Sequence, residues 1–338
     1  MSHSESNQRQ DWLDVSKGIA ILLIVLGHCL RGLDSAHLWP EFSTNLGVDR
    51  FLYSFHLAVF FFLSGVLFKP QPMCFLRKAI LTRSLKLLYP YALWVIIQGT
   101  VMAVFSSNLN QVKLLSSIPY DLINAPSQFW FLPVLLWMVL LTYVISNIRY
   151  WKVTLIITSL IVLVSGEFGR FGSNFIFYST GAVLGVDFFT SIIKRLHWLV
   201  FLFIFIFLEI VYYYIEVDNS NLLLTLVGFS GVFFVTSFSL RFQSWLVILF
   251  GYLGRRSLEV FLVHILFGSG ARIVLIKIFH VSDFYTHVGF GVFSGVFGSL
   301  LFYWLVSRFR LNWLFYPPAF LTNYIIKISE GRIRCTSV

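Results

Sequence analysis

Residues 11–30 read DWLDVSKGIAILLIVLGHCL, an apolar run that opens with charged residues and contains a histidine near its end. The span that it predicts, 16–32, is long enough to cross a bilayer, which needs about 20 mostly apolar residues. At about 3.6 residues per turn, Asp14, Lys17 and His28 lie on one stripe of such a helix, and the other positions are apolar. The stretch therefore predicts a transmembrane helix whose polar stripe leads inwards from one membrane face.

The rest of the chain has the same apolar character. Of its 338 residues, 58% are hydrophobic, 19% are aromatic and 12% are charged, and the mean hydropathy is +0.81. Soluble domains carry about 25% charged residues. The composition excludes a disordered chain, a nucleic-acid-binding domain and most soluble enzymes. It predicts an all-α integral membrane protein, a single domain over 1–338 that forms a bundle of about ten transmembrane helices.

Nine further apolar segments follow the first. They lie at 48–68, 87–106, 129–146, 152–166, 173–189, 196–215, 222–240, 257–279 and 286–306. A further apolar stretch, 242–253, is too short to cross the bilayer. We expect it to lie in the membrane interface or to re-enter the membrane from one side.

The connections between these segments alternate in charge. Every second connection is basic, with Lys69, Arg77, Lys78, Arg83, Lys86, Arg149, Lys152, Lys194, Arg195, Arg241, Arg255, Arg256, Arg308, Arg310, Lys327, Arg332 and Arg334. The others carry Asp34, Glu41, Asp49, Asp121, Glu167, Glu216, Asp218 and Asp283. Lys and Arg collect on the cytoplasmic side, so the segments 1–15 and 307–338 are both expected in the cytoplasm. The net charge of +10 follows from this topology, and we expect a multi-pass protein of the cell inner (plasma) membrane with no nucleic-acid partner.

The cysteines give no sign of a disulfide or a metal. Cys29, Cys74 and Cys335 are widely spaced, and no Cys/His cluster has the spacing of metal ligands. We therefore expect neither a structural disulfide nor a metal site.

Ionisable side chains within the spans are candidates for function, because they are costly to place in a bilayer. His28 lies well inside the first span, His56 lies in the second and Glu209 lies deep in the seventh. Two alternatives stay open. His28 is a lone imidazole hydrogen-bonded to a neighbouring helix, or it acts with the Asp14 and Lys17 stripe. Glu209 is a neutral packing residue, or it contacts a substrate.

The ninth span carries a further histidine. Ser257 and His264 are seven residues apart and face the same way on a helix. Glu259 lies on another face, where pairing with Arg255 at i−4 is expected.

A basic patch precedes the third span. Arg83 and Lys86 are three residues apart and share a helix face, and Arg77 lies two turns before them. Guanidinium groups match phosphate oxygens, so this patch is a candidate site for the phosphates of a cytoplasmic ligand. The alternative is plain positive-inside topology, and Asp14 and Lys17 have the corresponding alternative of pairing at the membrane surface.

Six motifs resemble the acyltransferase 3 family, polytopic membrane acyltransferases of which many O-acetylate bacterial surface sugars. The string from Asp14 to His28 resembles the first-helix signature. The other five, in order, are Phe55-His56 through Ser64-Gly65, Arg83…Lys86…Pro90-Tyr91, Phe129-Trp130-Phe131-Leu132, Phe177…Gly181…Gly185 and Leu253-Gly254…Ser257-Leu258…Phe261-Leu262…His264. The chain departs from the family pattern where Lys17 and Lys86 replace Arg and where Phe261 replaces Tyr. The fucose or polysaccharide O-acetyltransferase branch is the most similar.

The resemblance implies that His28 is the catalytic residue and that the acyl donor is a cytoplasmic acyl-CoA, here taken as acetyl-CoA. It also implies that the acceptor is a sugar hydroxyl on a surface polysaccharide, such as the O-antigen of lipopolysaccharide, or on its lipid-linked precursor. With this reading, Asp14 and Lys17 assist His28, and the donor phosphates meet the basic patch. The candidates for binding the acceptor are His56, Trp130, Ser257, His264 and Glu209.

Three alternatives stay open. Intramembrane His and Glu side chains also occur in proton relays, so a transporter or flippase for a lipid-linked saccharide is the rival function. An acyltransferase with a lipid, peptide or small-metabolite acceptor is the second alternative. The third concerns the role of His28, which is either a general base or the residue that itself takes the acetyl group.

Overall fold

Every regular element that the described residues form is helical. The structure is a computed structural model that describes residues 11–39, 47–106, 114–214, 221–242 and 244–330. Its helices are α1 (Asp11–Asp34), α2 (Val48–Val66), α3 (Met73–Val104), α4 (Ile118–Asn124), α5 (Phe131–Ile145), α6 (Trp151–Ser165), α7 (Gly169–Arg195), α8 (Trp198–Tyr214), α9 (Asn221–Ser239), α10 (Ser244–Arg255), α11 (Ser257–Lys277), α12 (Phe284–Phe293), α13 (Ser299–Arg308) and α14 (Ala319–Glu330). Short 3₁₀ turns precede α4 and α5, and a π turn, Ser294–Gly298, joins α12 to α13.

The predicted polytopic membrane bundle is confirmed. Each of the ten predicted segments falls on a helix. Within the described ranges, seven helical segments are long and apolar enough to cross a membrane, and three shorter apolar helices accompany them. The count of ten spans and the cytoplasmic position of the termini stay predictions.

Helix α1 lies at the centre of the bundle. It packs against α2, α9, α10, α11 and α12. Its apolar side chains are largely buried, among them Ile21, Ile24 and Val25. Several helices therefore surround α1 at once, and this central position carries the candidate site.

The short stretch 242–253 becomes most of α10, which packs on the first half of α1. A Cβ atom added to Gly18 would overlap the backbone of Phe250, and one added to Gly254 would overlap the backbone of Asp14. Because the later residue of α10 meets the earlier residue of α1, the two helices run antiparallel. Two glycines thus let the backbones touch, as is common between membrane helices.

We expect Gly254→Ala to destabilise the protein. The new methyl group would overlap the Asp14 carbonyl, which belongs to a helix backbone and cannot move aside. Overpacking of this kind costs about 1–3 kcal/mol, so the thermal unfolding midpoint in detergent should fall. Gly270→Ala is the matched control, because a Cβ there meets no atom within 4 Å. Equal midpoints for the two variants would contradict the packing.

A second close crossing joins α2 to α7. The backbone of Tyr178 lies against Gly65, and the backbone of Phe62 lies against Gly181. These two glycines let the helices approach closely. The crossing fixes the position of α2, which carries His56.

The basic patch lies on a helix. Arg77, Arg83 and Lys86 are exposed side chains on the first half of α3, which continues without interruption to Val104. Within the predicted tail, α14 packs against α3. Some residues of the charge pattern lie outside the described ranges, namely Glu41, Glu216, Asp218, Arg332 and Arg334, and so does Cys335.

Candidate active site

A cavity of about 440 Å³ opens where several helix ends meet. Its walls come from the C-terminal parts of α1 and α3, the N-terminal parts of α2 and α7, and the turn before α5. Helix α11 contributes residues from Phe261 to Arg272, and α12 contributes His287 and Gly291. These ends lie at the opposite end of the bundle from the N-terminus of α1. In the predicted orientation, that end is the outer face. The polar residues that line it are His28, Cys29, Arg31, Ser35, Tyr53, His56, Ser127, Gln128, Trp130, Arg170, His264, Ser269, Arg272 and His287.

His264 is buried in this wall, and its tautomer is set by the backbone. Its Nδ1 lies 3.0 Å from the carbonyl oxygen of Val260 and 2.9 Å from that of Phe261. A carbonyl only accepts, so Nδ1 carries the proton and donates it. The other ring nitrogen, Nε2, is buried and has no hydrogen-bond partner in the described part of the chain. His264 therefore offers an unpartnered acceptor nitrogen at the cavity.

The ring of His28 lies beside that of His264. Their centroids are 5.2 Å apart and their planes are inclined by 53°. His28 makes no hydrogen bond to any other described residue, so both of its ring nitrogens are available to a molecule in the cavity. The alternative of a lone imidazole requires a hydrogen bond to a neighbouring helix. No such bond is found among the described residues.

His56 enters the cavity from α2 with its own fixed tautomer. Its Nδ1 donates to the Leu52 carbonyl oxygen. The ring of Tyr53 meets it edge-on at 4.7 Å, and the guanidinium of Arg31 lies 3.3 Å above the Tyr53 ring. Asp49 in turn accepts two hydrogen bonds from Arg31, at 2.7 and 2.9 Å. This chain of contacts orients the α2 side of the cavity.

Two further side chains leave polar atoms unsatisfied at the wall. Gln128 donates to the Gln98 side chain at 3.0 Å, but its own Oε1 is buried without a partner in the described ranges. The Tyr53 hydroxyl is likewise buried and has no hydrogen-bond partner in the described ranges. Buried polar atoms usually find partners, so these groups are suited to hydrogen-bond a polyhydroxy ligand.

We expect Tyr53→Phe to weaken acceptor binding without harming the fold. The hydroxyl has no partner among the described residues to lose, so the unfolding midpoint should stay the same or rise. One neutral hydrogen bond is worth about 0.5–1.5 kcal/mol, so KM for the acceptor should rise several-fold while kcat changes little. Tyr324→Phe, at an exposed tyrosine of α14, is the control. An unchanged KM for the acceptor in Tyr53→Phe would contradict this role.

The cavity does not reach the start of α1. Its α1 wall begins at Ile24, so Asp14 and Lys17 lie outside it. Asp14 is 4% exposed, and its carboxylate lies 3.9 Å from the guanidinium of Arg255. The structure thus brings together His28, His56, Trp130 and His264, and it leaves the first two residues of the stripe near the N-terminal end of α1.

The pairing expected for Glu259 is wrong. Arg255 lies near Asp14, whereas Glu259 pairs with Arg256 at 3.2 Å and accepts a hydrogen bond from the Tyr316 hydroxyl at 2.5 Å. Burial and the contact with Glu259 raise the pKa of Tyr316, so this hydroxyl stays protonated as a donor. The arrangement ties the segment after α13 to the start of α11.

The remaining candidates also lie away from the cavity. Ser257 is the first residue of α11, and Glu209 on α8 accepts a hydrogen bond from Ser54 of α2. Arg77, Arg83 and Lys86 stay exposed at the far end of α3. In the part of the chain that the structure describes, no group of His, Cys, Asp or Glu side chains is arranged to hold a metal ion.

Sequence reasoning missed several cavity residues. Arg272 and His287 lie inside the predicted spans 257–279 and 286–306, so the rule that singled out His28 applies to them equally. Tyr53 and Gln128 have no such signal, because neither residue type is unusual near a membrane interface. Only the meeting of α2 with the turn before α5 makes them neighbours.

Comparison with known proteins defines the class. The acyltransferase domain family matches residues 10–304, so the chain belongs to the acyltransferase 3 family. It is also similar to nodulation protein NolL of Sinorhizobium fredii (strain NBRC 101917 / NGR234), with 29% identity over 151 residues. That match covers 42% of this chain and 37% of NolL. No solved structure matches the chain.

Proposed function

We propose that the protein is an O-acetyltransferase of the cell inner membrane, which moves an acetyl group from cytoplasmic acetyl-CoA to a sugar hydroxyl. The acceptor is a bacterial surface polysaccharide, such as the O-antigen of lipopolysaccharide, or its lipid-linked precursor. The observation that carries the proposal is the His28 ring, 5.2 Å from the His264 ring, in a cavity whose wall holds polar atoms without a partner among the described residues. An imidazole suits proton transfer because its usual pKa is near the operating pH.

Two routes are chemically balanced. In the first route, neutral His28 takes the proton of the acceptor hydroxyl while the hydroxyl oxygen bonds to the acyl carbon. The carbon–sulfur bond breaks, and the thiolate receives the proton from His28. In the second, a His28 nitrogen bonds to the acyl carbon and its N–H proton goes to the departing thiolate. The acceptor oxygen then takes the acetyl group, and its proton returns to the imidazole.

The donor would reach His28 from the opposite face. Arg83 and Lys86, with Arg77, would hold its phosphates at one end of α3, and Met102 near the other end of this helix lines the cavity. From Lys17 to His28 the rise along α1 is about 16 Å. The slender pantetheine arm of CoA is suited to that distance, with Lys17 and Asp14 near its entrance.

The acceptor would enter from the outer mouth. Aromatic and hydrogen-bonding side chains are typical of sugar sites, and Trp130, His56 and Gln128 supply both kinds at the wall. His264 Nε2 would accept a hydrogen bond from the acceptor or from His28. Ser257 and Glu209 lie outside the cavity, so they would act on the acceptor only through their neighbours.

The proposal is tested by following free thiol from acetyl-CoA with purified protein in detergent. An acetyltransferase releases thiol when its acceptor is present, whereas a transporter or flippase does not. Mass spectrometry of surface polysaccharide from cells with and without the protein identifies the acetylated sugar. Thiol release with acetylated lipid, peptide or metabolite, and unmodified polysaccharide, would support the non-sugar alternative. Absence of thiol release with all of them would contradict the proposal.

A further inference from the structure

The cavity wall is cationic. Among the described residues that line it, three are arginines, Arg31, Arg170 and Arg272, and none is Asp or Glu. The charge of Arg31 is offset by Asp49, which it contacts through two hydrogen bonds. The other two arginines have no carboxylate partner in the described ranges. The described residues of the wall therefore carry a net positive charge.

Arg272 is half-buried between helices. Its guanidinium donates to the Gly32 carbonyl oxygen of α1 and lies beside Gly32 and Cys29, which also line the cavity. A charge held in this environment without a counter-ion is unfavourable. The buried charge becomes favourable when an anion replaces water beside it. A guanidinium can bind two carboxylate or phosphate oxygens at once.

Arg170 lies at the other side of the opening, on α7. It is exposed, and its guanidinium lies 4.7 Å from the centre of the Trp130 ring. This position leaves its N–H groups open to a ligand that enters the mouth. Charged groups of one sign around a cleft also raise the local concentration of ligands of the opposite sign.

We propose that the acceptor carries an anionic group, a carboxylate or a phosphate, and that Arg272 binds this group while the acceptor hydroxyl lies at His28. This inference rests on the proposed function. Gly32, the contact of Arg272, follows His28 by one turn of α1, a rise of about 6 Å. The anion and the acetylated hydroxyl would thus belong to the same sugar unit or to adjacent units. Arg170 attracts the anion at the mouth.

The donor phosphates do not account for this charge. Their candidate site is the basic patch at the far end of α3, and Lys86 and Met102 are separated by about 24 Å along that helix. An anion that neutralises Arg272 must therefore come with the second substrate.

Binding of matched sugars to the purified protein tests the inference. The probes are glucose, glucuronate and glucose 6-phosphate, whose affinities are measured by calorimetry for the wild type, Arg272→Gln and Arg272→Lys. We expect the wild type to bind one or both anionic probes at least tenfold more tightly than glucose. Arg272→Gln should lose this preference, and Arg272→Lys should keep part of it. Arg149→Gln, outside the cavity, is the control and should behave as wild type.

The two anionic probes distinguish a sugar acid from a phosphate-linked sugar. The unfolding midpoint of each variant without ligand shows whether it folds. Equal responses of the wild type to the three probes, including no response to any, would overturn the inference, as would an unchanged preference in Arg272→Gln. Thiol release is measured on the same samples. Anion preference without thiol release would contradict only the proposed function, and thiol release without anion preference would contradict only this inference.

Discussion

His28→Ala is expected to abolish acyl transfer while the protein remains folded and inserted. A proton-transfer residue contributes about 10²–10⁴-fold to the rate, and an imidazole that itself carries the acetyl group would contribute more. The fold should tolerate the change because His28 makes no hydrogen bond to another described residue and its ring faces a cavity. The measurement is acceptor-dependent thiol release from acetyl-CoA, compared at equal amounts of protein with the same unfolding midpoint.

The matched control for His28→Ala is His197→Ala. His197 is an exposed histidine before α8, outside the cavity, and its removal should leave the rate unchanged. Wild-type transfer by a folded His28→Ala protein would refute the catalytic assignment. Equal losses in the two variants would show that the assay reports damage to the protein rather than loss of a reacting group.

His264→Ala is expected to lower kcat by about 10²-fold, within the range of a residue that assists proton transfer. The backbone fixes its Nδ1–H, so Nε2 is held as an acceptor next to His28. If it acts through His28, removing both imidazoles should cost no more than removing His28 alone, because residues that act as a unit are not additive. The rates of the two single variants and the double variant, measured in the same assay, decide this.

A further loss in the double variant would contradict the coupling of the two histidines. His264→Gln supplies the graded comparison, because its amide oxygen can accept a hydrogen bond. It should recover part of the activity that His264→Ala loses. Equal activities of the alanine and glutamine variants would mean that the acceptor atom at this position has no role.

The fold was accessible from sequence because its signals are local. Runs of apolar residues and the sign of the connections act within single segments, so each predicted span falls on a helix. The exception is α10, whose 12 residues are compatible with several positions. Its place against α1 depends on Gly18 meeting Phe250 and on Gly254 meeting Asp14, and these contacts join distant parts of the chain.

The candidate site was accessible only in part. Each imidazole inside an apolar span is a candidate by itself, and His28, His56 and His264 do meet in one cavity. Helix periodicity placed Asp14 and Lys17 on the same stripe as His28, but a shared face does not make residues share a cavity. The pairing of Glu259 was wrong for a related reason, since Arg255 finds a carboxylate on another helix.

The proposed mechanism requires that His28 meets an acyl group delivered from the basic face of the bundle. The most direct measurement is an experimental structure of the protein with a thioether analogue of acetyl-CoA, which binds but cannot transfer its acyl group. We expect the CoA phosphates to lie against Arg83 and Lys86 and the acyl end to lie beside the His28 ring in the cavity. An acyl end bound elsewhere, without contact to His28, would contradict this mechanism.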